Sequence, residues 1–248
     1  MNTNDYLLNK NLTIGEIISR DYRYAKVFAE FGIDFSFNGN KNFDQVLRAL
    51  NIEKEHLLTQ LNEVDKQNSV EPDYGYLSLP SLMNYIVEKH HKYLRELLPQ
   101  LSNLIESTKE IYSHEYSFLA QLKKEYELFQ SSFIQHMNKE EEILFRVIKY
   151  ISDCMQFKEK PRNRGYKSIQ EVVGSYIEEH HAVGVSIRRF RELTNNYDLP
   201  GKTSTNFALT YQKLEELENN THKHIHLENN ILFPKAIRVE ESIKSKIH

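Results

Sequence analysis

Apolar residues recur along most of this chain at intervals of three and four, the spacing that lines them up on one face of an α-helix. With 8 Gly and 6 Pro in 248 residues, turn-formers are too few for a many-stranded fold, and the predicted class is all-α. Thr13 and Glu16 have capping-box spacing, in which hydroxyl and carboxylate satisfy free amides at a helix start. A helix over 14–31 follows, stopped by Gly32. Asn42 and Gln45 repeat the start signal for a short helix through Leu50, and a third covers 53–64. Residues 1–65 thus read as a small helical domain.

Residues 66–79 lose helical periodicity and carry Pro72 and Gly75, as a linker does. The second domain, 80–248, holds four longer amphipathic segments at about 81–108, 116–152, 168–195 and 206–239. Joined by shorter polar connections, they predict a four-helix bundle.

The second and fourth segments share one signature. His136, Glu140, Ile143, Leu144 and Phe145 recur as His224, Glu228, Ile231, Leu232 and Phe233, both reading His-x-x-x-Glu-x-x-Ile-Leu-Phe. The first and third segments also pair, with His90-His91 in one and Glu178-Glu179-His180-His181 in the other. His91 precedes His136 by 45 residues and His180 precedes His224 by 44, so a helix pair occurs twice and implies a pseudo-two-fold bundle.

A spacing of four puts His136 and Glu140 about 40° apart on one helix face, together with Leu122, Phe129, Phe133 and Val147. His224 and Glu228 share a face with Thr210, Leu217 and Ile231 in the same way. Buried carboxylates must be compensated, and metal ions do so directly, since imidazole and carboxylate are ligands. Nitrogen and oxygen donors without thiolates suit iron, manganese or zinc, and six are too many for one tetrahedral zinc. Two facing carboxylates can bridge two octahedral ions and leave positions for an oxo, hydroxo or exogenous ligand. A di-iron centre is the favoured reading, although the donor set alone also admits di-manganese.

On the third segment His180 aligns with Val173, Ile177, Gly184 and Ile187, so it points inward and His181 outward. On the first, Val87, Leu94, Leu98 and Leu101 put His90 nearer the stripe centre and His91 at its edge, and periodicity does not choose between them. Gly184, one turn beyond His180 on the core face, either leaves room for a small molecule beside one metal or allows close helix packing. Glu141 and Glu179 are candidate bases or proton carriers beside the ligands, with solvated helix positions the plainer reading. His114, His222 and His226 read as surface or capping histidines.

Charge and hydropathy narrow the classes further. There are 32 Lys and Arg against 35 Asp and Glu, with no basic run, which argues against a nucleic-acid binder. Mean hydropathy is −0.62 and no apolar stretch approaches the roughly 18 residues that span a bilayer, so no membrane partner is expected. The start MNTNDYLLNK has no apolar block of a secretory signal, and a cytoplasmic location is expected by default. One cysteine, Cys154, expected in a loop region of the bundle, allows no internal disulfide and no four-thiolate site.

At these residues the chain resembles the hemerythrin-like superfamily, and within it the iron-sulfur cluster repair di-iron proteins, the repair of iron centres family. The phrases HHKYLRELLP, HMNKEEEILF, EEHHAVG and HIHLENNILFP are similar to that family's di-iron bundle, and Ile14-Gly15-Glu16-Ile17 with Phe31 through Phe35 and Gly39 to its small N-terminal domain. The resemblance implies a hemerythrin-like four-helix bundle whose metal ligands are His91, His136, Glu140, His180, His224 and Glu228, with both glutamates bridging two iron ions. It thereby selects His91 over His90. Oxygen-carrying hemerythrins are less similar, since they place another histidine where this chain has Gly184 and an Asp where it has Glu228. Family members commonly carry a Cys-Cys pair after the Asp-Phe of the N-terminal domain; this chain has Ser36 and Phe37, which puts any thiol-dependent role of that domain in doubt.

The function implied is repair of iron-sulfur clusters damaged by nitrosative or oxidative stress. Iron donation and nitric oxide binding, with or without nitric oxide reduction, are the two mechanisms. The partners implied are damaged iron-sulfur proteins and the small molecules NO or O2. Two competing readings are an O2 or NO sensor or carrier that keeps its iron, and a bundle whose histidines are structural only. Val27, Phe28, Phe31, Phe35 and Phe37 would give the N-terminal domain an apolar surface for docking, on the bundle or in a homodimer.

Overall fold

The computed structural model describes residues 11–67, 72–159, 168–201 and 203–246, and these are helical with no strand; Thr13 and Asn42 form one isolated bridge. The N-terminal unit consists of α1 (Ile14–Arg20), α2 (Tyr24–Glu30), α3 (Phe43–Ala49) and α4 (Lys54–Asp65). The Thr13–Glu16 capping box forms both of its bonds, Glu16 N to Thr13 Oγ1 at 3.2 Å and Thr13 N to Glu16 Oε2 at 2.8 Å. The single helix expected over 14–31 is two. Asp21 is extended, and its carboxylate accepts from the Arg23 amide at 3.0 Å and from the Arg23 guanidinium, closing a local turn that competes with the helix.

Four long helices form the bundle. The segments Leu79–Ile86, Val87–His91 and Lys92–Tyr112 run on as α5 (79–112), and Phe118–Lys139, Glu140–Leu144 and Phe145–Phe157 as α6 (118–157). The third is α7 (Ile169–Leu193), and the fourth, α8 (205–246), joins Thr205–His226, Leu227–Leu232 and Phe233–Lys246. α5 and α7 each pack against both α6 and α8. In α5, α6 and α8 the middle segment is one wide π turn, closed by Lys92 N to Val87 O, Phe145 N to Glu140 O and Phe233 N to Glu228 O. Each turn holds one more residue than an α turn and shifts the phase beyond it by about 100°. α7 stays regular.

Two apolar clusters fill the bundle. One runs from Leu94 to Ile105 on α5 and from Leu119 to Met137 on α6; the other takes Leu79 to Ile86 and Leu144 to Cys154 from the same helices. Cys154 is buried there within α6, not in a loop as expected from sequence. Between the clusters, at the same level on all four helices, lies a layer of buried histidines and glutamates.

The N-terminal unit has its own core around Ile14, Phe28, Leu57 and Leu61. It sits on the bundle through the 35–39 segment, and Phe37 belongs to the bundle's core. Phe35 packs against His222 and His226, so the apolar surface expected on this unit is spent within the chain. Asn230 of α8 donates to Phe35 O at 3.0 Å and fits against Gly15 and Gly39, where a Cβ on either would overlap its amide.

Candidate metal centre

Each bundle helix delivers its polar residues to one layer. His91, His180, His224, Glu140 and Glu228 are fully buried, and His136 is 3% exposed. His91 Nε2 and His224 Nε2 stand 3.0 Å apart, as do His136 Nε2 and His180 Nε2. Glu140 divides its oxygens between the pairs: Oε2 lies 3.4 Å from His91 Nε2 and 3.7 Å from His224 Nε2, while Oε1 lies 3.1 Å from His136 Nε2 and 3.5 Å from His180 Nε2. Glu228 Oε2 lies 3.2 Å from His180 Nε2 and 3.3 Å from His224 Nε2. Two four-residue groups result, His91–Glu140–His224–Glu228 and His136–Glu140–His180–Glu228, each with its donor atoms within 4.8 Å of one another and both sharing the two carboxylates.

These residues fit a pair of cations. All four oxygens of Glu140 and Glu228 are buried without a hydrogen-bond partner, although imidazole nitrogens surround them. An isolated carboxylate in such a place is strongly disfavoured unless positive charge meets it. Two ligands set at right angles about 2.1 Å from an ion stand about 3.0 Å apart, which is the spacing of each Nε2 pair.

Residues 82–236 match the hemerythrin family, the HHE cation binding domain. The chain belongs to that family. Residues 10–65 match a second family, a domain of unknown function, DUF542. The hemerythrin-family chain is 27% identical over 229 residues to the iron-sulfur cluster repair protein ScdA of Staphylococcus haemolyticus, covering 92% of this chain and 99% of the relative. It is 26% identical to ScdA of Staphylococcus epidermidis, over 93% of this chain and all of the relative. With the iron-sulfur cluster repair protein YtfE of Yersinia pestis the identity is 27%, over 93% of this chain and 99% of the relative.

Within this HHE domain the repeat seen in sequence becomes a geometric repeat. Phe145, last in the first signature, stacks on His91 with ring centres 5.9 Å apart, and Phe233, last in the second, stacks on His180 at 5.9 Å. The residue after each buried glutamate reaches the outer nitrogen of the same histidines: Glu141 Oε1 lies 2.7 Å from His91 Nδ1, and Asn229 Oδ1 2.8 Å from His180 Nδ1. Carboxylate oxygen only accepts, so His91 Nδ1–H donates and Nε2 is the nitrogen turned into the layer. Glu179 Oε2 holds His136 Nδ1 at 2.7 Å in the same manner. Arg95 and Lys139 pair with the two outer glutamates, at 2.7 Å each. Glu141 and Glu179 are therefore not the solvated helix positions expected from sequence. Asn229 escaped sequence reasoning; its register with Glu141, each directly after a signature glutamate, was the available signal.

Electrostatics point the same way. Burial opposes charging His91 and His180, yet the buried carboxylates outweigh it and push them up to about 9 and about 10. His224 is pushed down, chiefly by burial. Glu140 is held well below the ordinary carboxylate range, burial being overcome by His136 and the other imidazoles. The layer is a field that attracts positive charge, whether proton or metal ion.

His90 is buried too, 3% exposed, but turns away from the layer: its Nδ1 is 3.0 Å from Asn220 Oδ1 and its ring stacks on His224 at 6.0 Å. His181 and His114 are exposed. His222 and His226 are not the surface or capping residues expected. His226 is fully buried, accepts from Asn230 Nδ2 at 2.9 Å, and is pushed down to about 3 by burial and Lys223. His222 Nδ1 lies 2.9 Å from Ser36 Oγ, where the N-terminal unit meets α8. The gap at Gly184 is filled by Phe37 and holds no room for a small molecule. A cavity of about 270 Å³ between α6 and α7, lined by Phe129, Ser132, Gln135 and Ser186, reaches His136 and Glu179 from outside.

Proposed function

We propose that this chain is a di-iron protein that serves the repair of damaged iron-sulfur clusters, the role for which its relatives ScdA and YtfE are named. One observation carries the reading: two buried donor groups share both Glu140 and Glu228, whose oxygens have no other partner. His91 and His224 would hold one iron, His136 and His180 the other, and the two glutamates would bridge them. Bound iron supplies ligand exchange and electron-transfer chemistry. The protein orients His91, His136 and His180 through their outer nitrogens, closes the layer above and below with apolar side chains, and keeps bulk water out.

Four nitrogens and two carboxylates would hold ferrous iron without thiolates, a donor set from which an ion can pass to a sulfur-rich acceptor. Donation of iron to a damaged cluster follows as the primary mechanism. A second reading, binding of NO or O2 at the centre, is supported by the cavity that reaches His136. Metal count and transfer separate the readings. Reconstituted protein should hold about two irons per chain, fewer in His136→Ala and Glu228→Ala, and should pass iron to an apo iron-sulfur protein. A chain that binds no iron ends the proposal; one that binds two and surrenders none to the acceptor supports the sensor or carrier.

A further inference from the structure

The duplicated helix pair gives each candidate ligand a counterpart, and the outer contacts follow that correspondence in three cases of four. Glu141 on His91 corresponds to Asn229 on His180, each the residue after a signature glutamate. His136 is held by Glu179, the residue before His180. The counterpart of His136 is His224, and the residue before His91 is His90. There the correspondence breaks. His90 presents a ring face to His224, with an interplanar angle of 14°, and accepts nothing from it. His224 Nδ1 is buried without a hydrogen-bond partner, alone among the eight ring nitrogens of the four inner histidines.

The difference falls between the two ions. At His136 and His180 both imidazoles are fixed from outside. Glu179 binds His136 and also Lys139; Asn229 binds His180 through Oδ1 and donates from Nδ2 to the Ser36 carbonyl at 3.1 Å, which ties the inner histidine to the N-terminal unit's main chain. A carbonyl only accepts, so the amide orientation is fixed and His180 Nδ1 must donate. At His91 and His224 only His91 is so fixed. An outer partner orients a ligand and raises its basicity, and its loss commonly weakens metal binding 10–100-fold.

We propose that the two irons are held unequally, with the ion at His91 and His224 released first, because His90 stands where the repeat has a carboxylate. The inference rests on the di-iron reading above and names which ion is given up. The ion leaves as Fe2+ by exchange of protein ligands for those of the acceptor, with no change of oxidation state.

Anaerobic release of ferrous iron from the full, two-iron chain to excess ferrozine tests this. Wild type should release iron in two phases of equal amplitude, separated about tenfold or more in rate. His90→Glu supplies the missing acceptor for His224 Nδ1–H and should slow the fast phase toward the slow one. Asn229→Leu should speed the slow phase alone, as should Glu179→Gln, while Glu141→Gln should speed the fast phase alone. Circular dichroism and an iron count of two before chelation certify each variant, and the Glu141→Gln and Glu179→Gln pair decides the assignment should Asn229→Leu fail to load. Single-phase release from two-iron wild type overturns the inference, as does a fast phase indifferent to His90→Glu. Neither result touches the di-iron reading, which falls only if no iron binds.

Discussion

The ring of Phe37 occupies the notch at Gly184: a Cβ placed on the glycine would meet Phe37 Cδ2 at 3.0 Å and Cε2 at 3.1 Å. The glycine costs α7 about 1 kcal/mol of helix propensity against alanine, and what it admits is an aromatic side chain from the other unit. Phe37→Ala should lower stability by about 3 kcal/mol. Gly184→Ala should stabilise that variant yet not wild type, because only in wild type does the added methyl press on the ring. Urea denaturation of the four-member cycle reads the coupling, and additive effects would show that the two residues do not meet.

Asn230 makes the second clasp. Its amide is pinned between Gly15 and Gly39 by bonds to Phe35 O and His226 Nδ1, so it has no direction in which to yield. Gly39→Ala should therefore detach the N-terminal unit from α8 and not merely crowd it, at a cost of about 2 kcal/mol. Limited proteolysis within residues 66–79 should become faster in Gly39→Ala, with the iron content of the bundle retained. Unchanged cleavage would mean that Asn230 moves aside.

Much of this was legible in the sequence because local chemistry and the global fold agree. The Thr13–Glu16 box, the four bundle segments and the inward turn of His180 all follow from spacing and appear in the structure. Where reading by a constant 100° per residue failed, a local contact had broken the constancy. Asp21 turns the chain inside what looked like one helix. The π turn Val87–His91 shifts α5, so Leu94 and Leu98 extrapolate to His90 while His91 meets the layer. Glu141 and Glu179 looked solvated because their partners lie on other helices, a relation no single-helix pattern contains. Phe37 against Gly184 joins residues 147 positions apart, beyond the reach of periodicity.

A separate charged cluster ties α7 to α8 away from the histidine and glutamate layer. Glu218, 5% exposed, accepts from Arg191 Nε at 2.7 and 2.8 Å and from Tyr197 Oη at 2.7 Å. Burial raises its pKa, but His222, Tyr197 and Arg191 lower it more, and the net shift is downward. A carboxylate depressed in the folded state contributes stability that is present above its unfolded value, about 4.3, and lost as pH falls through its folded value. Glu218→Gln should thus cost about 2 kcal/mol at pH 7 and progressively less below about pH 4. Urea midpoints of the two proteins at both pH values check this; a gap that stays constant with pH would remove the charge from the explanation.

The choice between His90 and His91 gives the sharpest test of the layer itself. Both are buried, and on a regular helix they would be alternatives. In the π turn they have different tasks: His91 Nε2 meets His224 Nε2 and Glu140, while His90 binds Asn220 and stacks on His224. His91→Ala removes a donor from one of the two groups and should leave about one iron per chain, with the other group intact because it draws its imidazoles from α6 and α7. His90→Ala opens a cavity beside His224 but removes no donor, so it should keep about two irons while melting at a lower temperature. Iron counts on the two variants, set beside their melting curves, separate donation from packing. The reverse outcome, with iron lost from His90→Ala and kept in His91→Ala, would place the first-helix ligand where periodicity alone leaned.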